Sequence, residues 1–313
     1  LSIELDTLYN NLSEDAMTAN EQIERSMANA IEHGLAAALN QALTEDAPPL
    51  LGEAMRYAVF PGGARIRPRL SVAVACACGQ DDPAIACAAA TAIELLHCAS
   101  LVHDDLPCFD DAPTRRGKAS VHKAFSERLA VLAGDALIVL AFDCLAKGAA
   151  GKPTRLAPLL GIVARSVGMP LGIAAGQAWE SEPVVSLSKY QQAKTGALFA
   201  AATMAGAAAA GHRPEAWRLL GERLGEAYQV ADDIRDVAGD SEELGKPIGR
   251  DAALGRPSAA RELGLQGAIA RLDFLVFSAL DSVPACPGRA ELCGLIRQEA
   301  DGLLPKNLAR EAA

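Results

Sequence analysis

Apolar and polar positions along this chain fall into blocks with a helical period. Ile23, Met27, Ala30, Ile31 and Leu35 form a stripe within residues 21–43, which predicts an amphipathic helix. Glu45-Asp-Ala-Pro-Pro interrupts it, and a second helix is predicted over 50–60, stopping at Pro61-Gly62-Gly63. A third opens on Arg65, Arg67 and Arg69 and runs through apolar residues to Cys78. Asp82-Pro83 reads as N-cap and first turn of a fourth, which continues to Asp104 and Asp105. Further helices are predicted over 122–147, as one or two over 153–177 around Gly168-Met-Pro170, and over an Ala-rich run opened by Lys194-Thr195-Gly196. The pattern ends with helices over 214–237, 258–280 and 289–303, and a Gly/Pro-rich loop over 242–256 is long enough to be functional. Residues 1–20 are polar and aperiodic, which suggests a loose arm or a short helix.

The chain has 313 residues, 50% of them hydrophobic and only 4% aromatic. A core of Ala, Leu, Val and Ile suits closely packed helices, so the expected fold is all-α, with residues 1–313 as one domain. A net charge of −10 argues against a nucleic-acid partner. Anionic ligands must then be drawn by local positive charge or metal. Eight cysteines sit mostly in apolar runs, and Cys76-x-Cys78 lacks zinc-site spacing, which reads as reduced thiols in the cytoplasm. The N-terminus carries no targeting pattern, and the most apolar stretch, 196–211, is too short to span a bilayer. A soluble protein without a transmembrane segment is expected.

The polarity of the chain is concentrated where the fourth helix ends. Asp104 and Asp105 are followed by Asp110 and Asp111, then by Arg115, Arg116 and Lys118. On one regular helix Asp104 and Asp110 would not share a face. Pro107 disfavours helix at Leu106, and a loop after it can fold Asp110 back towards Asp104. Clustered carboxylates repel unless protonated or neutralised, and a hard divalent cation neutralises them through oxygen ligands. The nearby arginines then suit phosphate. The alternative is a charged helix end with a solvated loop. Against it stands a second cluster, Asp232-Asp233-Ile-Arg-Asp236, in which Asp232 and Asp236 share one helical face. Arg65 and Arg67 at a helix start oppose the macrodipole, and a bound anion would offset them.

These motifs resemble those of the trans-isoprenyl diphosphate synthases, the polyprenyl synthetases. Asp104-Asp105-x4-Asp110 with Arg115-Arg116-Gly117-Lys118 looks like the first aspartate-rich motif of that family. Asp232-Asp233-x-x-Asp236 with Glu243-Leu-Gly-Lys246 and Gly249-Arg-Asp251 looks like the second. The wording Asp-Asp-Leu-Pro-Cys-Phe-Asp-Asp is most similar to geranylgeranyl diphosphate synthases of carotenoid and bacteriochlorophyll pathways. The resemblance implies a helical bundle around a deep apolar cavity, usually a homodimer. It also implies Mg2+, about three ions per site with Mn2+ as a possible substitute, and head-to-tail transfer between isopentenyl diphosphate and an allylic diphosphate.

Roles follow by the same resemblance. Asp104, Asp105, Asp110, Asp232 and Asp236 would carry metal. Arg115, Lys194, Thr195, Gln229, Asp233 and Lys246 would serve the allylic diphosphate. Arg65, Arg67, Arg116 and His97 would hold isopentenyl diphosphate, although a lone histidine at position 97 would otherwise read as a core residue. The chain departs from the family at Ala64, where a lysine is usual, at Glu180, where an aspartate is common, and at Arg235, a place more often aliphatic. Ala99 and Ser100, five and four residues before Asp104, stand where farnesyl-forming relatives place aromatic bulk, so a C20 product is expected. Alternative readings are a non-catalytic regulatory subunit, suggested by Ala64, and a class I terpene cyclase.

Overall fold

Helix α1 (Ala19–Ala42) buries Met27, Ile31 and Leu35 of the predicted stripe and also Leu39, whereas Ala30 is exposed. The structure, a computed structural model, describes residues 19–183, 187–238 and 258–303. The proposed arm lies almost wholly outside these, as does Lys246. Helices α2 (Pro49–Val59) and α3 (Ile66–Ala77) follow, joined through Pro61-Gly62-Gly63. Helix α4 (Pro83–Asp104) starts where Asp82 accepts the amides of Ala84 and Ile85, at 3.1 and 3.4 Å. Its residues Ile85, Ile93, Leu95 and Leu96 are fully enclosed, so α4 is the central post of the bundle.

After α4 comes an antiparallel hairpin, Thr114–Arg115 against Lys118–Ala119, which the helical reading did not anticipate. Its two turn residues, Arg116 and Gly117, have φ of 53° and 75°, the pattern of a type I′ turn. The helix expected over 122–147 is divided into α5 (Val121–Ala124) and α6 (Glu127–Gly148). Ser126 causes the division by accepting the Leu129 amide at 3.2 Å as an N-cap. Helices α7 (Leu156–Val167) and α8 (Ile173–Ala178) flank the Gly168–Gly172 segment.

Helix α9 (Leu187–Gln191) passes through a π-helical turn, Gln192–Gly196, into α10 (Ala197–Ala209). Every residue from Leu198 to Ala209 is buried, so α10 is apolar all round. Its small side chains allow close packing on α3. A Cβ at Gly206 would stand 2.3 Å from the Ser71 carbonyl oxygen. Helices α11 (Arg218–Ala238) and α12 (Ala259–Asp281) form a smaller core from Val230, Ile234, Leu272 and Leu275, and α13 (Arg289–Asp301) packs against α3. Apart from the hairpin, the described residues form helices and connections.

Helices α4, α6 and α12 are each long and apolar enough, by length and composition, to cross a membrane. This corrects the expectation that no stretch reaches that length. Single polar residues such as Glu94 and His97 interrupt an apolar run without much lowering its mean hydropathy. In α4, 72% of the most apolar window is buried inside the bundle, so its apolarity serves the core.

Candidate active site

A cleft of about 1010 Å³ opens between the end of α4, the hairpin, the start of α3, the π-turn and α11. Asp104 and Asp232 both line it, as do Arg67, His97, Arg115, Arg116, Lys194, Thr195 and Gln229. Residues from distant parts of the chain therefore meet in one place. The loop after α4 folds back as the position of Pro107 suggested. The Asp110 amide donates to the Asp104 carbonyl at 3.0 Å, and the Ala112 amide to the Asp105 carbonyl at 3.2 Å. These bonds satisfy carbonyls left open at the helix end and keep both aspartates beside the hairpin.

Asp105 is buried, and its carboxylate accepts from Arg115 Nε at 3.0 Å and also from Arg115 Nη2. Burial raises its pKa, with Arg115 opposing that shift. Asp105 thus orients Arg115. Asp104 is open to the cleft, with Lys194 Nζ 3.3 Å away and Arg115 Nη2 at 3.8 Å. Lys194 Nζ also donates to Glu180 Oε1 at 2.6 Å, and Tyr190 donates to the same oxygen at 2.7 Å. Glu180 thereby serves as a counter-ion for the lysine. The π-turn carries Lys194 and Thr195 to the cleft, a common use of such turns.

The second motif divides between two sides of α11. Asp232 faces the cleft, whereas Asp233 is buried and turns to α12. Asp233 Oδ2 accepts the Ala259 amide at 2.7 Å, and Oδ1 accepts Gln229 Nε2 at 3.0 Å. Gln229 Oε1 in turn accepts Thr195 Oγ1 at 3.0 Å. Asp233 therefore anchors the start of α12 and links through Gln229 to Thr195 at the cleft. Asp236 is also buried. Among the described residues, no group of three His, Cys, Asp or Glu side chains stands gathered for chelation. Asp104 and Asp232 offer only carboxylate oxygen across a shared cleft, a donor chemistry that fits Mg2+.

Arg65 lines the cleft and is also held by protein partners. It adopts a left-handed backbone at the start of α3, with φ 51°, and its guanidinium is buried. Nη1 donates to Glu94 Oε1 at 2.6 Å, Nε to Glu32 Oε1 at 2.7 Å, and Nη2 to the Val59 carbonyl at 2.9 Å. A Cβ at Gly62 would lie 2.2 Å from its Cζ, so a side chain there would displace the guanidinium from these partners. Burial opposes the charge on Arg65, but Glu32 and Glu94 outweigh it and raise the pKa. Arg65 locks α1, α3 and α4 together at the wall of the cleft, which it lines with Arg67. Glu94 was missed in the sequence, where a lone acid inside an apolar helix should have signalled a buried cation.

Arg67 stacks 4.5 Å above the Phe199 ring and lies 3.5 Å from His97 Nε2. Burial lowers the pKa of His97 well below the ordinary range, and Arg67, Arg116, Arg115 and Arg65 add to the shift. His97 is therefore neutral beside a field of cations, a setting that suits an anion. Ser100 lines the cleft one turn from His97 and Asp104, with Leu101, Ile173 and Leu198 as its apolar neighbours there. Ala99, expected beside it, is buried in the core at 1% exposure. Burial pushes the Cys78 and Cys98 thiols up to about 12, which leaves them inert.

A family model described as polyprenyl synthetase matches residues 48–299. The chain is 54% identical to a geranylgeranyl diphosphate synthase of Cereibacter sphaeroides, over 89% of this chain and 97% of that one. It is 50% identical to a geranylgeranyl diphosphate synthase of Rhodobacter capsulatus, over 89% and 96%. Among solved structures it resembles a geranyltransferase from Helicobacter pylori complexed with magnesium and isoprenyl diphosphate. The TM-score is 0.76 at 30% identity, covering 90% of this chain and 98% of that one. The bundle, the aspartates facing one cleft and these matches lead to one conclusion: the chain belongs to the polyprenyl synthetase family.

Proposed function

We propose that this chain is a Mg2+-dependent trans-prenyltransferase that joins isopentenyl diphosphate to an allylic diphosphate and yields geranylgeranyl diphosphate. The observation that carries the reading is a single cleft with two kinds of anion environment. Lys194 lies 3.3 Å from Asp104, Arg67 lies 3.5 Å from His97, and Asp232 and Arg116 line the same cleft. An allylic diphosphate fits the first and isopentenyl diphosphate the second. Bound magnesium would supply positive charge to the departing diphosphate. Lys194, Thr195 and Arg115 orient that diphosphate, while Arg67, Arg116 and neutral His97 hold the second substrate with its double bond towards the allylic carbon. The allylic C–O bond breaks, a C–C bond forms, and a proton leaves to the released diphosphate. Ser100, Ile173 and Leu198 place no aromatic side chain at the level of Ser100, and the aromatic residue that lines the cleft, Tyr228, comes from α11; this supports a C20 chain.

The test is turnover of purified protein with Mg2+, labelled isopentenyl diphosphate and C5, C10 or C15 primer, with products dephosphorylated and sized. A main C20 product, lost with EDTA and in Asp104→Ala, is expected. No incorporation by folded protein would favour a regulatory subunit. Three ions per site and Mn2+ as a substitute belong to the same reading and are checked by a metal titration of activity. A homodimer is supported by Leu132 and Val139, which leave an apolar face on α6, 45% and 68% exposed. Sedimentation tests it. Cytoplasmic residence is supported by eight free cysteines, and fractionation of cells tests that.

A further inference from the structure

Arg235 runs back along α11 towards its N-terminus, as long helical side chains do. Its Nε donates to the Ala231 carbonyl at 3.2 Å, and its Cζ lies 5.6 Å from the Tyr228 ring centroid. Tyr228 stands 5.4 Å from Phe199, and Arg67 covers Phe199. The two guanidiniums thus sit at the ends of one aromatic pair, and both side chains line the cleft. Each has a donor out of contact with water and without a hydrogen bond, Nε in Arg67 and Nη2 in Arg235. Asp232 Oδ1 is 3.6 Å from that Nη2, too far for a hydrogen bond. Buried donors left open are costly, so both side chains would gain by turning these nitrogens to an acceptor in the cleft that they line.

The opposite wall explains what these donors serve. Ala64 lines the cleft without charge at the place where the family resemblance leads one to expect lysine. Arg116 folds over the adjacent Gly63, with its Nε 3.1 Å from a Cβ built there. We infer that Arg235 is a specificity-determining ligand for the diphosphate of isopentenyl diphosphate, supplying from α11 the positive charge that Ala64 does not supply from α3. With Arg67 it forms a two-armed clamp, held apart and oriented by Phe199 and Tyr228. Guanidinium suits this task because its planar donors match phosphate oxygens.

The inference rests on the proposed function, and binding separates the two. Labelled isopentenyl diphosphate is titrated onto the whole chain in EDTA, so that metal at Asp232 plays no part. Arg235→Leu should weaken binding about tenfold or more, as expected for a lost charge-assisted contact. Adding Ala64→Lys to that variant should restore most of the loss. Binding of an allylic diphosphate with Mg2+ should change by about twofold or less. Arg235→Lys serves if the leucine variant fails to fold, and should fall between the two. Unchanged isopentenyl diphosphate binding in a folded variant of an active enzyme would overturn the clamp alone. Weakened Mg2+-dependent allylic binding with isopentenyl diphosphate binding intact would also overturn it, making Arg235 a partner of Asp232. Wild-type protein that neither binds isopentenyl diphosphate nor turns over would remove both readings.

Discussion

Lys194 Nζ lies between two carboxylates, 2.6 Å from Glu180 Oε1 and 3.3 Å from Asp104 Oδ1. One cation is shared between a residue that positions it and a residue of the first aspartate motif. On the proposed function, a bound diphosphate with its metal would give Asp104 other partners and let Lys194 turn to phosphate oxygen. Lys194→Ala should lower kcat by about a hundredfold, in the range found for loss of a donor to developing negative charge. Glu180→Gln should cost less than about tenfold, because the lysine keeps its charge and Tyr190 remains. Steady-state kinetics with each substrate varied would distinguish these outcomes.

Removing the carboxylate of Glu94 should leave Arg65 buried without its closest charged partner. Glu94→Ala is expected to cost about 3–5 kcal/mol in denaturant unfolding, the usual scale for breaking one side of a buried pair. Glu32→Ala should cost much less, since the Glu32 side chain is 44% exposed and its pair is screened. Equal losses from the two variants would contradict the burial difference.

His97 makes a prediction about pH. Burial, then Arg67 and the other arginines, keep it neutral in the free protein. A bound diphosphate favours the charged ring, so binding isopentenyl diphosphate should take up a proton and tighten as pH falls from about 8 towards 6. Calorimetry in two buffers of different ionisation enthalpy reads that uptake directly, and His97→Gln should abolish it. Without ligand the sign is opposite. The unfolded chain titrates this histidine near its ordinary pKa of about 6.5, while the folded chain resists protonation. The contribution of His97 to stability is therefore lost as pH drops below about 6.5.

Neighbours in the second motif should behave differently. Asp233→Ala removes the acceptor for the Ala259 amide and for Gln229, and is expected to lower stability by about 1–3 kcal/mol. Asp232→Ala should leave the melting temperature nearly unchanged and remove Mg2+-dependent turnover. A thermal melt paired with an activity assay on each variant checks the division.

Product length is expected to depend on Ser100 because it lines the cleft. Ser100→Phe should shift the main product from C20 towards C15 with the rate for short primers retained. Chromatography of dephosphorylated products measures it, and an unchanged C20 product would place the limiting contact elsewhere.

The sequence alone determined the helical elements, the two aspartate motifs and the family. Hydrophobic period and capping residues act locally, so α1, α4 and α13 could be read with small errors at their ends. Pro107 likewise announced the fold-back of Asp110. Tertiary packing decided what each charged side chain does. Arg65 and Arg67 are two residues apart and both line the cleft, yet Arg65 is held by Glu32 and Glu94 whereas Arg67 lies over Phe199 beside His97. Asp232 and Asp233 are adjacent, yet one faces the cleft and the other anchors α12. Helical rotation separates neighbours by about 100°, and burial then determines whether a charge meets a protein partner or an empty site. No local pattern encodes that choice, since Glu94, Phe199 and Tyr228 come to these arginines from distant parts of the chain.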